Sequence, residues 1–350
     1  MKPNLIFIYP QKFTFIKTEL RILQNDFKIK QIDLNWSSKL LLPINLIIQF
    51  GFLFLNVFKA KVIFISFGGY WSLLPALFGK IFNKKTYIVV HGTDCVDFPQ
   101  INYGSLRLPQ LKFFIKNTYN LVDLILPVSN SLVYSENTYF AKNKICFGYK
   151  HHFKEINTNN IVIPNGIDTL FWKRDFSVKR NTKSIITVLS KKHFILKGGD
   201  LIIELAAKFP NYDFLFVGVE KNEIRCNLDN VKFLGYVSST ELIRLYSSSQ
   251  FYFQLSLFEG FGVAICEAML CECIPIVSNV NFLPSIVDDC GFVLEKKNLN
   301  LLVNLVNIAI NSDYNVLEKK ARLRIVNNFS FEKRKKLLLK TLQDEIKLKI

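Results

Sequence analysis

Short apolar runs rich in β-branched and aromatic residues alternate with helical patterns along almost the whole chain, and few folds accept that alternation. Such a chain builds βαβ units, with parallel strands and helices covering the sheet. The runs fall into two series. The first comprises Leu5–Tyr9, Lys28–Ile32, Val62–Ser66, Thr86–Val90, Leu124–Val128 and Ile161–Ile163. The second comprises Ile185–Leu189, Phe214–Val217, Val231–Leu234, Phe251–Leu255, Ile274–Ser278 and Gly291–Leu294. Two series predict two α/β, Rossmann-like domains, and 350 residues suit two cores of roughly 150 residues each. Because 50% of the residues are hydrophobic, both cores can be filled.

The charged stretch Phe171–Lys183 has no apolar periodicity and is the expected hinge, which places one domain over residues 1–168 and a second over residues 169–330. The tail from Phe331 to Ile350 reads as a charged amphipathic helix, expected to pack back on the first domain. Within the second series, Ser238-x-x-Glu241 ahead of Leu242, Leu245 and Tyr246 is a capping box that opens a helix.

Composition restricts the function classes less than the pattern does. Lys and Arg number 45 against 28 Asp and Glu, a net charge of +17 that suits an anionic partner or surface. The abundance of Lys, Asn, Ile and Phe is equally a composition bias, so basicity alone names no partner. Seven cysteines, an odd number without C-x2-C spacing, fit buried free thiols in a reducing compartment and imply no structural metal. The apolar run within Met1–Gln11 is too short for a secretory signal, so a cytoplasmic location is expected.

Leu40–Phe58 approaches the length of a membrane span and holds only Asn45, Gln49 and Asn56 as clearly polar residues. Pro43 and Gly51 within it, and the strand-like Val62–Ser66 just after it, favour a helix that packs on the domain or lies on a membrane surface. Lys39, Lys59 and Lys61 beside it suit peripheral contact with anionic lipid.

The densest chemical signal is Ser256-Leu257-Phe258-Glu259-Gly260-Phe261-Gly262, which follows a strand and enters the helical run Val263–Met269. Glycines at that junction let backbone approach a ligand, and the N–H groups of the first helical turn suit a phosphate or sugar oxygen. Glu259 would sit in the loop beside that ligand. Glu267, further along the helix, could accept hydrogen bonds from two neighbouring hydroxyls, as a nucleotide ribose presents them. The alternative, a solvated Glu267, sits poorly with the apolar Val263, Ala264, Ile265, Ala268 and Met269 around it.

The E-x7-E arrangement of Glu259 and Glu267 within EGFGVAICEAM resembles the donor site of retaining glycosyltransferase family 4, of GT-B fold. Pro164-Asn165-Gly166-Ile167-Asp168, Lys197-Gly198, Val217-Gly218, Leu234-Gly235-Tyr236-Val237 and His91-Gly92-Thr93-Asp94 are similar to further motifs of that family, in the same order. The resemblance implies two facing Rossmann-like domains around a cleft, and a nucleotide-sugar donor held by the second. Glu267 would then hold the ribose, and Glu259, with Gly260 and the amides of Phe261 and Gly262, the sugar and diphosphate. Lys197 would neutralise the diphosphate, a lysine at position 191 or 192 would replace the family's arginine, and Gly235 and Val237 would line the base pocket. Lys192 stands five residues before Lys197, where that arginine is expected.

His91 is similar to the family histidine at the reactive side of the sugar, with Asp94 expected on the acceptor side or orienting it. The catalytic set is therefore His91, Glu259 and Lys197. The resemblance also implies front-face transfer of a hexose-type sugar with retention, without a metal ion or other cofactor. The acceptor is expected to be a saccharide or a lipid-linked saccharide of cell-surface polysaccharide synthesis, with a role at the inner membrane face.

Two departures stand out. The loop after the first strand, Pro10–Phe15, lacks the family's paired glycines and is expected to serve the acceptor, with Lys12 as an anion contact. Glu272 stands where glycine is usual, at a cost of about 1 kcal/mol if the position is left-handed. A GT-B-like epimerase or phosphorylase would not be expected to carry EGFG with this carboxylate spacing. A binding protein without activity, including a nucleic-acid binder, would leave Glu259, Glu267 and His91 without a task.

Overall fold

The computed structural model describes residues 2–347; Met1 and the last three residues of the expected closing helix, 348–350, lie outside the described residues. The chain divides into two compact units. The first is built from Met1–Ser135, Cys146–Gly166 and Glu332–Ile350, the second from Glu136–Ile145 and Ile167–Phe331.

The first unit runs β1 (Asn4–Ile8), α1 (Thr14–Leu23), β2 (Lys28–Gln31), α2 (Leu42–Val57), β3 (Ala60–Ser66), α3 (Leu73–Ile81), β4 (Lys85–Val90), α4 (Pro109–Leu121) and β5 (Leu124–Pro127). Its strands are parallel in the order β2-β1-β3-β4-β5. Helices cover both faces of such a sheet, so β1, β3 and β4 are continuous apolar runs rather than alternating ones. Edge strand β2, Lys-Ile-Lys-Gln, is largely exposed, and its lysines discourage pairing with another chain. The expected strand Ile161–Ile163 does not form. Its amides at Ile161 and Ile163 donate to Ile125 and Pro127, but Pro164 has no N–H to continue the ladder.

Two short strands, β6 (Ser135–Asn137) and β7 (Ile145–Phe147), form a separate two-stranded sheet, followed by the single turn α5 (Tyr149–His152). The second unit then runs β8 (Asn181–Val188), α6 (Gly199–Ala206), β9 (Asp213–Val217), β10 (Val231–Phe233), α7 (Ser239–Ser248), β11 (Ser249–Gln254), α8 (Val263–Leu270), β12 (Ile274–Ser278), α9 (Leu283–Val287), β13 (Phe292–Leu294), α10 (Leu299–Ile310) and α11 (Tyr314–Asn328). Its sheet is parallel, in the order β10-β9-β8-β11-β12-β13. Helix α7 opens as its sequence expects, with Ser238 Oγ accepting from the Glu241 amide at 3.2 Å.

The tail forms α12 (Phe331–Lys347). Arg334, on this helix and in the first unit, donates to Glu19 Oε1 at 2.5 Å and to the carbonyls of Ile163 and Pro164 at 2.7 and 2.9 Å. Both members of the ion pair are almost fully buried.

The charged stretch Phe171–Lys183 is not a free linker. The division falls at Gly166, ahead of it, and the stretch belongs to the second unit. Arg174 pairs with Glu272 and Glu318 at 3.0 and 3.1 Å, and Arg180 pairs with Glu318 at 3.0 Å. Arg180 also donates to the Cys271 and Glu272 carbonyls, so charges that look solvated in sequence are structural. Glu272 takes the left-handed conformation suspected of it, with φ 64°, and its carboxylate is held by Arg174. All seven cysteines are free thiols.

Among the described residues no helix is long and apolar enough to cross a membrane. The segment Leu40–Phe58 instead holds the 16-residue helix α2, with Pro43 accommodated in its first turn.

Candidate active site

Both sheets reverse strand order once, and in open α/β sheets ligands bind outside the carboxyl ends of the strands at that reversal. In the second unit the reversal lies between β8 and β11. The loop after β8 carries Lys197, and the loop after β11 carries Glu259. A backbone hydrogen bond from the Leu257 amide to the Leu196 carbonyl, 2.8 Å, ties the two loops together. Between them Gly198 adopts φ 76°, and a Cβ there would lie 2.3 Å from the Leu255 carbonyl oxygen, so only glycine fits.

The Lys197 ammonium forms an ion pair with Glu259 Oε2. The same oxygen accepts from Gln254 Nε2 at 2.6 Å and lies 3.4 Å from Ser256 Oγ. The Glu259 amide donates to Asn281 Oδ1 at 3.0 Å, across from the loop after β12. Lysine, carboxylate and amide are therefore held in fixed positions before any ligand arrives. Gly262, at φ 108°, opens α8 without a side-chain cap. The Phe261 ring is buried and packs on Phe282 and Phe329, with centroids 5.7 and 5.6 Å away, which leaves its backbone as the part available to a ligand.

Glu267, on α8, is 8% exposed, and no described residue donates a hydrogen bond to its carboxylate. Burial pushes its pKa up from 4.5 to about 8. The folded state thus keeps a proton that the unfolded chain releases above about pH 4.5, and stability falls as pH rises from there to about 8. Glu267→Gln, which cannot ionise, is expected to flatten that decline and to be more stable than the wild type at pH 8 by on the order of 1–3 kcal/mol. Urea denaturation at several pH values measures this. Parallel wild-type and variant curves would contradict it.

Gly235 follows β10 at φ 60°, with its amide donating to the Val219 carbonyl at 2.9 Å and its carbonyl accepting from the Gly218 amide at 2.6 Å. Tyr236 next to it is 92% exposed, and Val237 is half-buried. Lys191 and Lys192 are exposed on a short turn ahead of Lys197, and the geometry does not choose between them.

In the first unit the reversal lies between β1 and β3, and a cavity of about 890 Å³ opens there. Residues that follow four strands line it, among them Pro10, Phe13 and Phe15 after β1, Asp33 and Trp36 after β2, Phe67 and Trp71 after β3, and Thr93 after β4. Lys12 is tied to Asp33 at 2.7 Å, an exposed pair at the rim. Two of the wall residues also clamp His91: the Phe15 and Phe67 rings lie 4.5 and 4.4 Å from the imidazole, each tilted by 33°. Phe67 does so from a left-handed φ of 61°. Nε2 of His91 shares a 2.9 Å hydrogen bond with Ser66 Oγ, while Nδ1 has no partner among the described residues. Desolvation, with a smaller contribution from Arg334, holds the imidazole well below its ordinary pKa of 6.5, so it is neutral at pH 7.

Of the two roles expected of Asp94, its surroundings oppose the one on the acceptor side. It is fully buried, and its two oxygens accept from the Gly68 and Gly92 amides at 2.9 and 3.0 Å. Its carboxylate therefore offers nothing to an acceptor and braces the turn that carries His91. Sequence reasoning did not single out Gln254, Asn281, Ser66, Trp36 or Trp71. Trp36 and Trp71, placed after different strands, carry no spacing signal; Gln254 lies two residues before the quoted Ser256 and five before Glu259.

Residues 171–328 match the family model described as glycosyl transferases group 1. The chain carries a group 1 glycosyltransferase domain. Over 72 residues, 21% of this chain and 19% of the relative, it is 36% identical to O-antigen chain mannosyltransferase B of Escherichia coli. Over 200 residues, 49% of this chain and 51% of the relative, it is 28% identical to the UDP-Gal:alpha-D-GlcNAc-diphosphoundecaprenol alpha-1,3-galactosyltransferase of the same organism. The chain thus spans between about a fifth and about half of the length of these two curated relatives. HepE of Anabaena, solved in complex with UDP-glucose, superposes with a TM-score of 0.73 at 16% identity, over 97% of this chain and 99% of that one. At such identity the likeness establishes fold, and the fold is GT-B. The group 1 glycosyltransferase match covers the loops that carry Lys197 and Glu259 and the helix that carries Glu267.

Proposed function

We propose that the chain is a retaining, metal-independent glycosyltransferase of family 4, which binds a nucleoside-diphosphate sugar in its second unit and transfers the sugar to a saccharide or lipid-linked saccharide at the inner face of a membrane. The observation that carries this reading is the pairing of a fixed lysine–carboxylate couple with a buried, unpartnered carboxyl group at the strand reversal of the second sheet. Glu267 has the acceptor oxygens for a ribose diol and no other occupation. Lys197, partly exposed while paired with Glu259, can add a contact to a diphosphate, whose negative charge grows as the glycosidic bond breaks. The amides of Phe261 and Gly262 supply donors at the same helix start.

In this reaction the bond from the anomeric carbon to the diphosphate oxygen breaks and a bond to the acceptor oxygen forms on the same face. The acceptor's proton passes to the departing phosphate. Lys197 supplies the cationic stabilisation that a divalent ion gives in other transferases, so no resident cofactor is needed. Neutral His91, whose Nδ1 has no partner among the described residues, can take part in one hydrogen bond with a hydroxyl that reaches the first unit. The aromatic walls and the Lys12–Asp33 rim of the first unit's cavity suit a sugar face and its hydroxyls. The relatives named for mannosyl and galactosyl transfer, and the UDP-glucose complex, support a nucleotide-sugar donor without choosing the sugar.

A panel of UDP-, GDP- and ADP-sugars tests the reading through thermal shift and donor hydrolysis. At least one donor is expected to stabilise the chain and to be turned over at an unchanged rate in EDTA, with the product's anomeric configuration retained by NMR. Loss of turnover in EDTA restored by magnesium would overturn metal independence. Indifference to every donor would overturn the function.

A further inference from the structure

The geometry points to a lipid-binding face on the first unit: the outer side of α2, with the apolar cavity beside it, docks on an anionic bilayer and takes an aliphatic lipid chain into that cavity. This deepens the proposed membrane role of the transferase and rests on it for its purpose, while the docking itself rests on the features below.

Helix α2 is amphipathic in the wrong sense for water. Its polar Asn45 and Gln49 point inward with Leu53 and Val57, where Asn45 Nδ2 donates to the Asn35 carbonyl at 2.8 Å and Gln49 Nε2 to the Trp71 carbonyl at 2.9 Å, while Gln49 Oε1 has no partner among the described residues. The outward positions are Ile44, Ile47, Ile48, Phe54 and Leu55, with Ile47 72% and Leu55 76% exposed. Ile81 on α3 and Phe113 on α4 are also exposed. Large apolar side chains left exposed along one helix face call for a partner.

Between α2, α3 and α4 lies a cavity of about 420 Å³ whose lining residues are all apolar, including Leu46, Phe50, Leu74 and Phe114. A headgroup or sugar would lose its hydrogen bonds there, whereas an alkyl or prenyl chain would lose none. With 16 residues, α2 is about 24 Å long, short of a bilayer's hydrocarbon core but suited to lying in the interface.

Charge selects lipid over a second copy of the chain. Between Asp33 and Asp94 there is no acidic residue, against six lysines at positions 39, 59, 61, 80, 84 and 85. At the end of α2, Lys84 Nζ donates to the Phe58 carbonyl at 3.3 Å, and desolvation, with a smaller contribution from repulsion by Lys61, lowers its pKa. Anionic headgroups would relieve that repulsion. A like copy in a chain of net charge +17 would not.

The test uses the full chain with vesicles of phosphatidylcholine alone or mixed with phosphatidylglycerol. Partition at least about tenfold stronger into the anionic vesicles, weakened by salt, is expected. Ile47→Ser/Leu55→Ser keeps the net charge and should lower that partition by about tenfold or more with an unchanged circular dichroism spectrum. Phe50→Trp fluorescence should be quenched by lipids brominated along the acyl chain. Partition that ignores the serine pair, unquenched Phe50→Trp, or a dimer in sedimentation velocity that the serine pair dissociates would each overturn the inference. Donor hydrolysis without vesicles is measured in parallel, so failure of the transferase reading is distinguishable from failure of docking.

Discussion

Lys197→Ala is expected to lower kcat for sugar transfer by about 10²–10³-fold, with a smaller effect on KM, because the charge that it balances is larger in the transition state than in the bound donor. The variant should fold, since removing the lysine leaves Glu259 hydrogen-bonded to Gln254. Lys197→Arg should recover little, because a guanidinium is larger than the ammonium that the Glu259 carboxylate holds in this mostly buried position. Lys191→Ala and Lys192→Ala, made alongside, ask which neighbour takes the place of the family's arginine: the one that matters should weaken donor binding, the other should be nearly silent. Initial rates across donor concentrations measure all four. A Lys197→Ala enzyme with unaltered kcat would remove the central assignment.

Arg334→Ala is expected to destabilise the first unit by about 3–5 kcal/mol, because it leaves the buried Glu19 carboxylate without its cation and two carbonyls without their donor. Burial already raises the Glu19 pKa, and Arg334 is the largest influence opposing that rise. The double variant Glu19→Leu/Arg334→Met should regain most of the loss, since replacing both charges by apolar groups removes the uncompensated ion. Guanidinium denaturation of the two variants decides the matter. Equal destabilisation in single and double variants would show that the helix contact, not the ion pair, carries the stability.

Much of this architecture is legible in the residues because buried parallel strands need apolar side chains on both faces. Leu5–Tyr9, Val62–Ser66 and Phe251–Leu255 could hardly be anything else. EGFG followed by Glu267 was equally readable, since glycine between strand and helix and a carboxylate among apolar neighbours are each costly without a purpose. What the residues could not tell was decided by partners distant in sequence. Phe171–Lys183 looked solvated because Glu272 and Glu318, which neutralise its arginines, lie far along the chain. Asp94 looked available because the Gly68 amide that occupies it comes from another strand's loop. The side of α2 that faces water could not be read from its composition, for the polar residues that would normally mark the solvent side are the ones turned inward.

The pairing of Glu19 with Arg334 also has a consequence for biosynthesis. The two residues are 315 positions apart, and every residue of the second unit is translated before the arginine emerges from the ribosome. The nascent first unit must therefore wait with an acidic group in its interior, or hold that group protonated, while the rest of the polypeptide is made. A released chain that stops just ahead of residue 334 should have a second unit that resists protease while the first is still digested.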